Sequence, residues 1–473
     1  MYNAKQYYMD GPLKVQKSTN GAMIKRDAVI TGSGGPITLY FGNAGPTSGK
    51  RFCSDFFISL TIEVSTSNPP TANKVMYAVK DIQTCMRSKL ELNGSVNITN
   101  DHTALVPIYK CYTDTYRSVD DLGKHDLYVY EPDGTGFENN TNTRGVKTKN
   151  AAGFFDMYYS APLLNEALIA GFNGCTSMDL TIEVANNLFG LFATDIDQPY
   201  TVKITKATLS YWTHDVATDS CQIYCPHFLT FPKTVSGGSF SIDTKSVNGI
   251  PKYIFTHISQ NPFMFSSKTT ATDQLLTKPV PFKTLDMDIN NNLNALNATD
   301  KELYGLSLMG GYKSHSIQDY YNADNILTEF GGCVKIDLNH LPLSISSSDI
   351  LRVNALCTYS SSKSNLFNYT SYCYISLLKL SASGGENTQQ IISYDIPNEV
   401  EEYDEIEFED LIHGSGFFGK IKDFFKSGKA GKLLDKGIKV LDVVAPNATG
   451  VKQGLEKAQA VNSILSGNST ALF

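Results

Sequence analysis

Charge is scarce in this chain. Asp, Glu, Lys and Arg together make up 18% of its 473 residues, against roughly 25% in ordinary soluble domains. Long apolar runs are missing as well: nowhere do the roughly 18 consecutive apolar residues of a membrane-spanning helix occur. The opening residues, MYNAKQYYMDGPLKVQKSTNG, hold no apolar core of the kind a secretory signal needs. Histidine is thin and dispersed, with His102, His125, His214, His227, His257, His315, His340 and His413 standing singly. There is no Gly-x-Ser-x-Gly elbow, Walker loop or His-Glu-x-x-His, and no His-x-His pair to ligate a metal inside a barrel. Each absence removes a class of enzyme, so no catalytic residue, cofactor or metal is expected. The nine cysteines are odd in number and scattered, which argues against a disulfide-stapled secreted domain and for a reduced intracellular compartment. The sequons at Asn93, Asn97 and Asn368 are then chance occurrences in an Asn-rich chain.

The net charge of -7 conceals a lopsided distribution. Nine acids and no base lie between Asp395 and Asp410, whereas nine Lys stand against four acids from Leu411 onward. The body before them is close to neutral. That argues against a strongly basic nucleic-acid-binding face, and no sequence-specific nucleic-acid binding is expected.

What the chain has in abundance is Asn, Ser, Thr, Tyr and Phe, a balance that favours strands and polar loops over helices. FFISLTIEV (56–64) alternates Ile58, Leu60, Ile62 and Val64 with Ser59, Thr61 and Glu63, the period of a strand with one buried face. MDLTIEV (178–184) repeats the pattern, and the shared LTIEV is consistent with equivalent strands of facing sheets. YTVKITKATLSYW (200–212) is a third long strand. Residues 113–153 are so rich in Gly, Asn, Asp and Thr that they are expected to form a long surface loop. CQIYCPHFLTFPKTVSGGS (221–239), with its prolines and Gly-Gly pair, reads as a linker. Within it Cys221, Cys225 and His227 offer three metal ligands, but the spacing fits no finger or ribbon, and incidental cysteines are the plainer reading.

Strand patterns then resume in PKYIFTHIS, KTLDMDINNNLNAL, GGCVKIDLNHLPLS, DILRVNALCTYSSS and TSYCYISLLKLSAS. A short helix is expected at 297–311, capped by Thr299 or Asp300 and stopped by glycines. The fold class is therefore all-β, with two consecutive sandwich domains. The boundaries are an N-terminal arm at 1–34, a first domain at 35–220, the linker at 221–239, a second domain at 240–390, an acidic linker at 391–413 and a tail at 414–473.

Two such domains in series resemble the double-jelly-roll major capsid proteins of double-stranded DNA viruses, the lineage of adenovirus hexon, the Polinton and adintovirus group, and virophages. The second half carries the closest echo: FKTLDMDINNNLNAL, then KELYGLSLMGG, then GGCVKIDLNHLPLS and DILRVNALCTYSSS. In the first half, YYSAPLLNEALIAGF followed by MDLTIEV looks like the Pro-Leu turn and strand of the N-terminal jelly roll. The resemblance implies a structural protein without enzymatic activity. It implies a homotrimer meeting neighbouring capsomers and minor capsid or penton proteins in an icosahedral shell, and residence in the virion after synthesis in host cytoplasm or nucleus.

The tail opens with IHGSGFFGKIKDFFKSGKAGKLLDKGIKVLDVV (412–444). Gly414, Gly416 and Gly419 have dinucleotide-loop spacing, yet an acidic run rather than an apolar strand precedes them, and Asp435 lies within a Lys-rich helical pattern; a nucleotide site is excluded on those grounds. An amphipathic helix fits better. Phe417, Phe418, Ile421, Phe424 and Phe425, resuming through Leu434, Ile438 and Leu441, form apolar faces, with Lys420, Lys422, Lys426, Lys432, Lys436 and Lys439 on others. Such faces suit an anionic lipid membrane or packing against protein, and both readings stay open. Glycines within it each weaken an isolated helix by about 1 kcal/mol, so a partner is needed to order it. Ile412-His413-Gly414-Ser415-Gly416 also resembles the cleavage pattern of adenovirus-type proteases, and a cut between Ser415 and Gly416 would free the tail. Ile30-Thr31-Gly32-Ser33-Gly34 fits the same pattern, with its cut between Ser33 and Gly34.

The competing reading is a spike or adhesin-type sandwich that binds a receptor or glycan. It requires an exposed aromatic loop cluster, for which Tyr312, Tyr320 and Tyr321 are the candidates.

Overall fold

The computed structural model describes residues 21–32, 36–66, 74–78, 82–112, 127–130, 149–150, 154–185, 192–194, 200–244, 246–264, 279–290, 292–313, 317–321, 331–338, 341, 350–361 and 363–393. Strands dominate. The first half contains β1 (Ala22–Asp27), β2 (Val29–Thr31), β3 (Ile37–Phe41), β4 (Arg51–Thr66), β5 (Lys74–Ala78), β6 (Met86–Leu92) and β7 (Val96–Asp101). A helix, α1 (His102–Tyr112), follows, then β8 (Leu127–Tyr130), β9 (Lys149–Asn150), β10 (Phe154–Pro162), helix α2 (Glu166–Ala170), β11 (Met178–Val184), β12 (Phe192–Thr194) and β13 (Tyr200–Asp215).

These strands form two five-stranded sheets, β1-β13-β4-β10-β9 and β2-β3-β11-β6-β7, and a small sheet β12-β5-β8. The period-2 pattern explains how the large sheets meet. Phe56, Ile58, Leu60 and Ile62 of β4 and Met178, Leu180, Ile182 and Val184 of β11 are all buried, and they share one core. The two LTIEV stretches therefore sit in opposite sheets of one sandwich, as the sequence suggested.

The second half is built the same way from β14 (Ser220–Thr234), β15 (Ser239–Asp243), β16 (Val247–Asn248), β17 (Tyr253–Gln260), β18 (Phe282–Ile289) and β19 (Asn292–Thr299). Helices α3 (Asp300–Met309) and α4 (Ile317–Tyr321) precede β20 (Val334–Asp337), β21 (Ile350–Leu351), β22 (Val353–Tyr359), β23 (Leu366–Ser381) and β24 (Thr388–Ile392). Its sheets are β14-β23-β17-β20, with β24 also on β23, and β15-β22-β18-β19; β16 pairs with β21. Their inner faces, including Ile254, Leu285, Met287, Val353 and Tyr372, form a second core. Helix α3 is where the sequence placed it: the Glu302 carboxylate accepts from the Thr299 N–H at 2.8 Å, and Gly310 caps the far end.

Three expected boundaries are corrected. The segment 221–239 is not a linker, because Ser220 to Thr234 pair residue by residue with Ser381 to Phe367 in one unbroken antiparallel ladder. The arm at 1–34 gives its last part to the first sandwich: β1 pairs with β13 from Ala22 to Asp27, and β2 pairs with β3. The surface loop at 113–153 contains β8, which pairs with β5, and β9, which pairs with β10.

Strand β14 and its partner β23 are at about 3.3 Å per residue some 50 Å long, long enough to pass through both sandwiches. On one face, Cys221, Ile223 and Cys225 with Leu378 and Leu380 belong to the first core, while Tyr372 and Tyr374 of the same face belong to the second, with Leu229 and Phe231 packed against it. The two halves thus share structural members. Leu378→Ala, in a strand of the second sandwich but in the core of the first, is expected to cost about 2–5 kcal/mol and to lower both sandwiches together in one denaturant transition; a separate first-sandwich transition would contradict this coupling.

Candidate functional site

The feature that sets the two sandwiches relative to one another is a seam on the opposite face of the β14–β23 pair. Helix α1 lies in it with all eleven residues buried. It is an unlikely-looking helix, with Pro107 in its interior. Burying Leu105, Val106, Ile108, Tyr109 and Tyr112 at about 1.5–3 kcal/mol each outweighs the ~3 kcal/mol that an interior proline costs. The first sandwich starts the helix: the Asp101 carboxylate accepts from the Thr103 N–H at 3.1 Å and pairs with Arg87 at 3.5 Å. The second sandwich receives it. Phe228, Tyr253, Phe255, Tyr312, Tyr320, Cys333 and Cys373 complete the cluster around α1 and Leu164.

Directional bonds cross the seam. The Tyr112 hydroxyl donates to the Cys333 carbonyl, and the Lys313 N–H donates to the Cys111 carbonyl at 2.8 Å. The Ala104 carbonyl lies 3.0 Å from His257 Nε2; because a carbonyl only accepts, Nε2 carries the hydrogen, and Nδ1 meets the Ser259 hydroxyl at 2.9 Å. Rings pack at the same place, Tyr112 on Phe255 at 5.5 Å and on Tyr312 at 5.9 Å.

Helix α2 covers the free edge of β14. Its cap is Asn165, whose Oδ1 accepts from the Ala167 N–H at 3.2 Å. The next residue, Glu166, is 1% exposed. Asn100 Nδ2 donates to its Oε2 at 2.7 Å, while Oε1 has no hydrogen-bond partner among the described residues. Burial pushes the Glu166 carboxyl up to about 7, with the bond from Asn100 and the nearby backbone of Glu166 and Phe228 acting the other way.

The residues singled out from sequence are distributed otherwise. Tyr312 and Tyr320 are interior, at 6% and 0% exposure, so the aromatic cluster offered for a glycan is a piece of the seam; Tyr312 donates its hydroxyl to the Gly331 carbonyl at 2.9 Å. Cys221, Cys225 and His227 share one face of β14, where residues four apart stand about 13 Å from each other, too far for one metal. Their partners are the Asn173 carbonyl, the Ser376 hydroxyl and Gln389 respectively. All nine cysteines are buried and none forms a disulfide, and burial raises the Cys225 and Cys373 thiols to about 12. Ser33, Gly34, Ser415, Gly416 and the tail residues Phe417, Phe418, Ile421, Phe424, Phe425, Leu434, Ile438 and Leu441 lie outside the described residues.

Two sandwiches of this topology, fused through shared strands and an enclosed helix, define the class: the fold is the double jelly roll of viral major capsid proteins. Among solved structures, a chain of the Sputnik virophage, determined by cryo-electron microscopy, superposes with a TM-score of 0.60 at 13% identity, over 84% of this chain and 94% of that one. The mavirus major capsid protein superposes with a TM-score of 0.56 at 12% identity, over 79% of this chain and 90% of that one. No protein-family model and no curated protein sequence matches the chain.

The seam can be tested by its hydroxyls and thiols. Tyr112→Phe is expected to lose about 1 kcal/mol, the net worth of one buried hydrogen bond, and Tyr112→Ala about 3–5 kcal/mol, both read from denaturant midpoints. A thiol reagent is expected to modify none of the nine cysteines in the native protein and all of them once it is unfolded; rapid native labelling would show that a cysteine reaches solvent.

Proposed function

We infer that this chain is a major capsid protein, a non-enzymatic subunit that assembles as homotrimeric capsomers into the icosahedral shell of a double-stranded DNA virus. The observation that carries the reading is the joining of two complete jelly rolls into one unit by the β14–β23 pair and α1. A receptor or glycan protein needs one exposed recognition loop. A tile needs a fixed angle between two similar bodies, so that a trimer presents six of them around its axis and every copy repeats the same contacts.

The partners on this reading are two further copies within the capsomer, neighbouring capsomers and the minor capsid or penton proteins, and the protein resides in the virion. The tail from Gly416 onward is the segment for release after Ser415, with Phe417, Phe418, Ile421, Phe424, Phe425, Leu434, Ile438 and Leu441 meeting either lipid or the inner wall of the shell. The second match to the cleavage pattern is the weaker substrate. Ile30 and Thr31 pair with Leu39 and Thr38 in the β2–β3 ladder, whereas a protease needs its substrate strand unpaired.

Native mass spectrometry of the purified chain is expected to give a trimer, and a strictly monomeric species across concentrations overturns the reading. The intact mass of protein taken from assembled particles is expected to lack the residues after Ser415 and to keep those before Gly34. An uncut mass removes the processing step and leaves the trimer untouched.

A further inference from the structure

We propose that Glu166 is a proton-operated latch between the two jelly rolls: neutral, it lets α2 seat on the edge of β14, and ionised, it loosens that seat. The proposal rests on the fold alone and not on the capsid reading. Its basis is a placement. Glu166 belongs to the first sandwich, is 1% exposed, and sits on a helix packed against the strand that carries the second sandwich.

The edge of β14 is arranged to receive it. In an antiparallel ladder, alternate residues direct their backbone groups away from the partner strand. Pro226 and Pro232 have no N–H to give and occupy even-numbered positions in an unbroken register with β23, so the even residues face outward. Two even-numbered neighbours use that edge for contacts with the first sandwich: the Ser220 carbonyl accepts from Asn173 Nδ2 at 3.1 Å, and the Phe228 backbone lies near enough to Glu166 to act on its carboxyl. Glu166 therefore closes the outward edge of β14 at mid-length, where the strand passes from one core to the other.

Among the described residues no opposite charge compensates the ionised Glu166. The groups about it are Asn100 from β7, Tyr109 from α1, Cys225 and the Phe228 backbone from β14, and Cys373 from β23. None of these is charged at neutral pH, and Tyr109, Cys225 and Cys373 are all held in their neutral forms by burial and by Glu166 itself. With Oε1 lacking any partner among the described residues, the ionised carboxylate has one oxygen buried and unpaired. Burial raises the carboxyl from its ordinary 4.5 to about 7. Stability from the neutral form is thus complete below about pH 4.5 and is lost as the pH rises through about 7.

The test compares the full chain with Glu166→Gln, which keeps the shape and the bond from Asn100 but cannot ionise. The wild-type melting temperature is expected to fall by a few degrees between pH 5.5 and pH 8.5, while the variant stays level and is the more stable of the two at the higher pH. Parallel curves overturn the proposal. Hydrogen exchange on the wild type gives a second reading that needs no variant. After correction for intrinsic rates, amides of α2 and of β14 around Phe228 are expected to lose at least about tenfold more protection over that interval than those of β18 and β22. An equal loss at both places also overturns it.

Discussion

Everything else in this molecule hangs on the fifteen-residue pairing of β14 with β23. The ladder runs without a slip from Ser220↔Ser381 to Thr234↔Phe367. A shift of one residue would turn Ile223, Cys225, Leu378 and Leu380 out of the first core and, in the same movement, Tyr372 and Tyr374 out of the second. Because a single register serves both cores, neither sandwich can settle independently of the other. The angle between them is then a property of one twisted ribbon and the helix wedged against it, not of a tether.

The sandwiches were legible in the sequence because each strand buries one face. Ile58, Leu60 and Ile62 against Ser59, Thr61 and Glu63 leave little choice of period, and α3 announced itself by Thr299, Glu302 and the glycines that follow Met309. What joins the sandwiches was illegible for the opposite reason. Strand β14 exchanges burial partners at mid-length, so its alternation from Cys221 to Cys225 fades after Pro226. Its prolines read as linker punctuation, although at an unpaired edge they interrupt nothing. Helix α1 is buried all round and so shows no polar face by which a helix is recognised. The tyrosines at 312 and 320 looked like surface aromatics. A phenol can also be interior when its hydroxyl finds a carbonyl, as Tyr312 does at Gly331.

The seam is more polar than either core, and that affects what it does. An apolar joint of the same area would stabilise equally well at several offsets. Here the Tyr112 hydroxyl, His257 Nε2 and the Lys313 N–H each have one carbonyl to meet, and a displaced helix would leave them buried and unpaired at about 1–3 kcal/mol apiece. Beneath it the bond from Asn368 Nδ2 to the Thr256 hydroxyl at 2.9 Å joins β23 to β17, and Thr370, donating to Asn368 Oδ1 at 3.0 Å, orients that amide. The hydrophobic area supplies most of the stability, and the hydrogen bonds select one arrangement.

On the proposed capsid function, that selection bears on assembly. A closed shell repeats a few contacts many times, and an angular error within the subunit is repeated with them. A rigid subunit permits each contact to be small, since complementarity does not have to be recovered by reshaping the partners on binding. The described surface agrees with such contacts. Its ion pairs, among them Arg51–Asp215 and Arg352–Asp243, are partly exposed and individually worth little. Its large exposed apolar residues are dispersed, with Met23 and Trp212 adjacent across β1 and β13, Val29 and Tyr40 adjacent across β2 and β3, Leu356 alone on β22, and Met264, Leu308 and Ile317 on helical turns. Faces of that kind associate weakly one at a time, so the strength of a shell built from them would come from repetition, and its geometry from the seam.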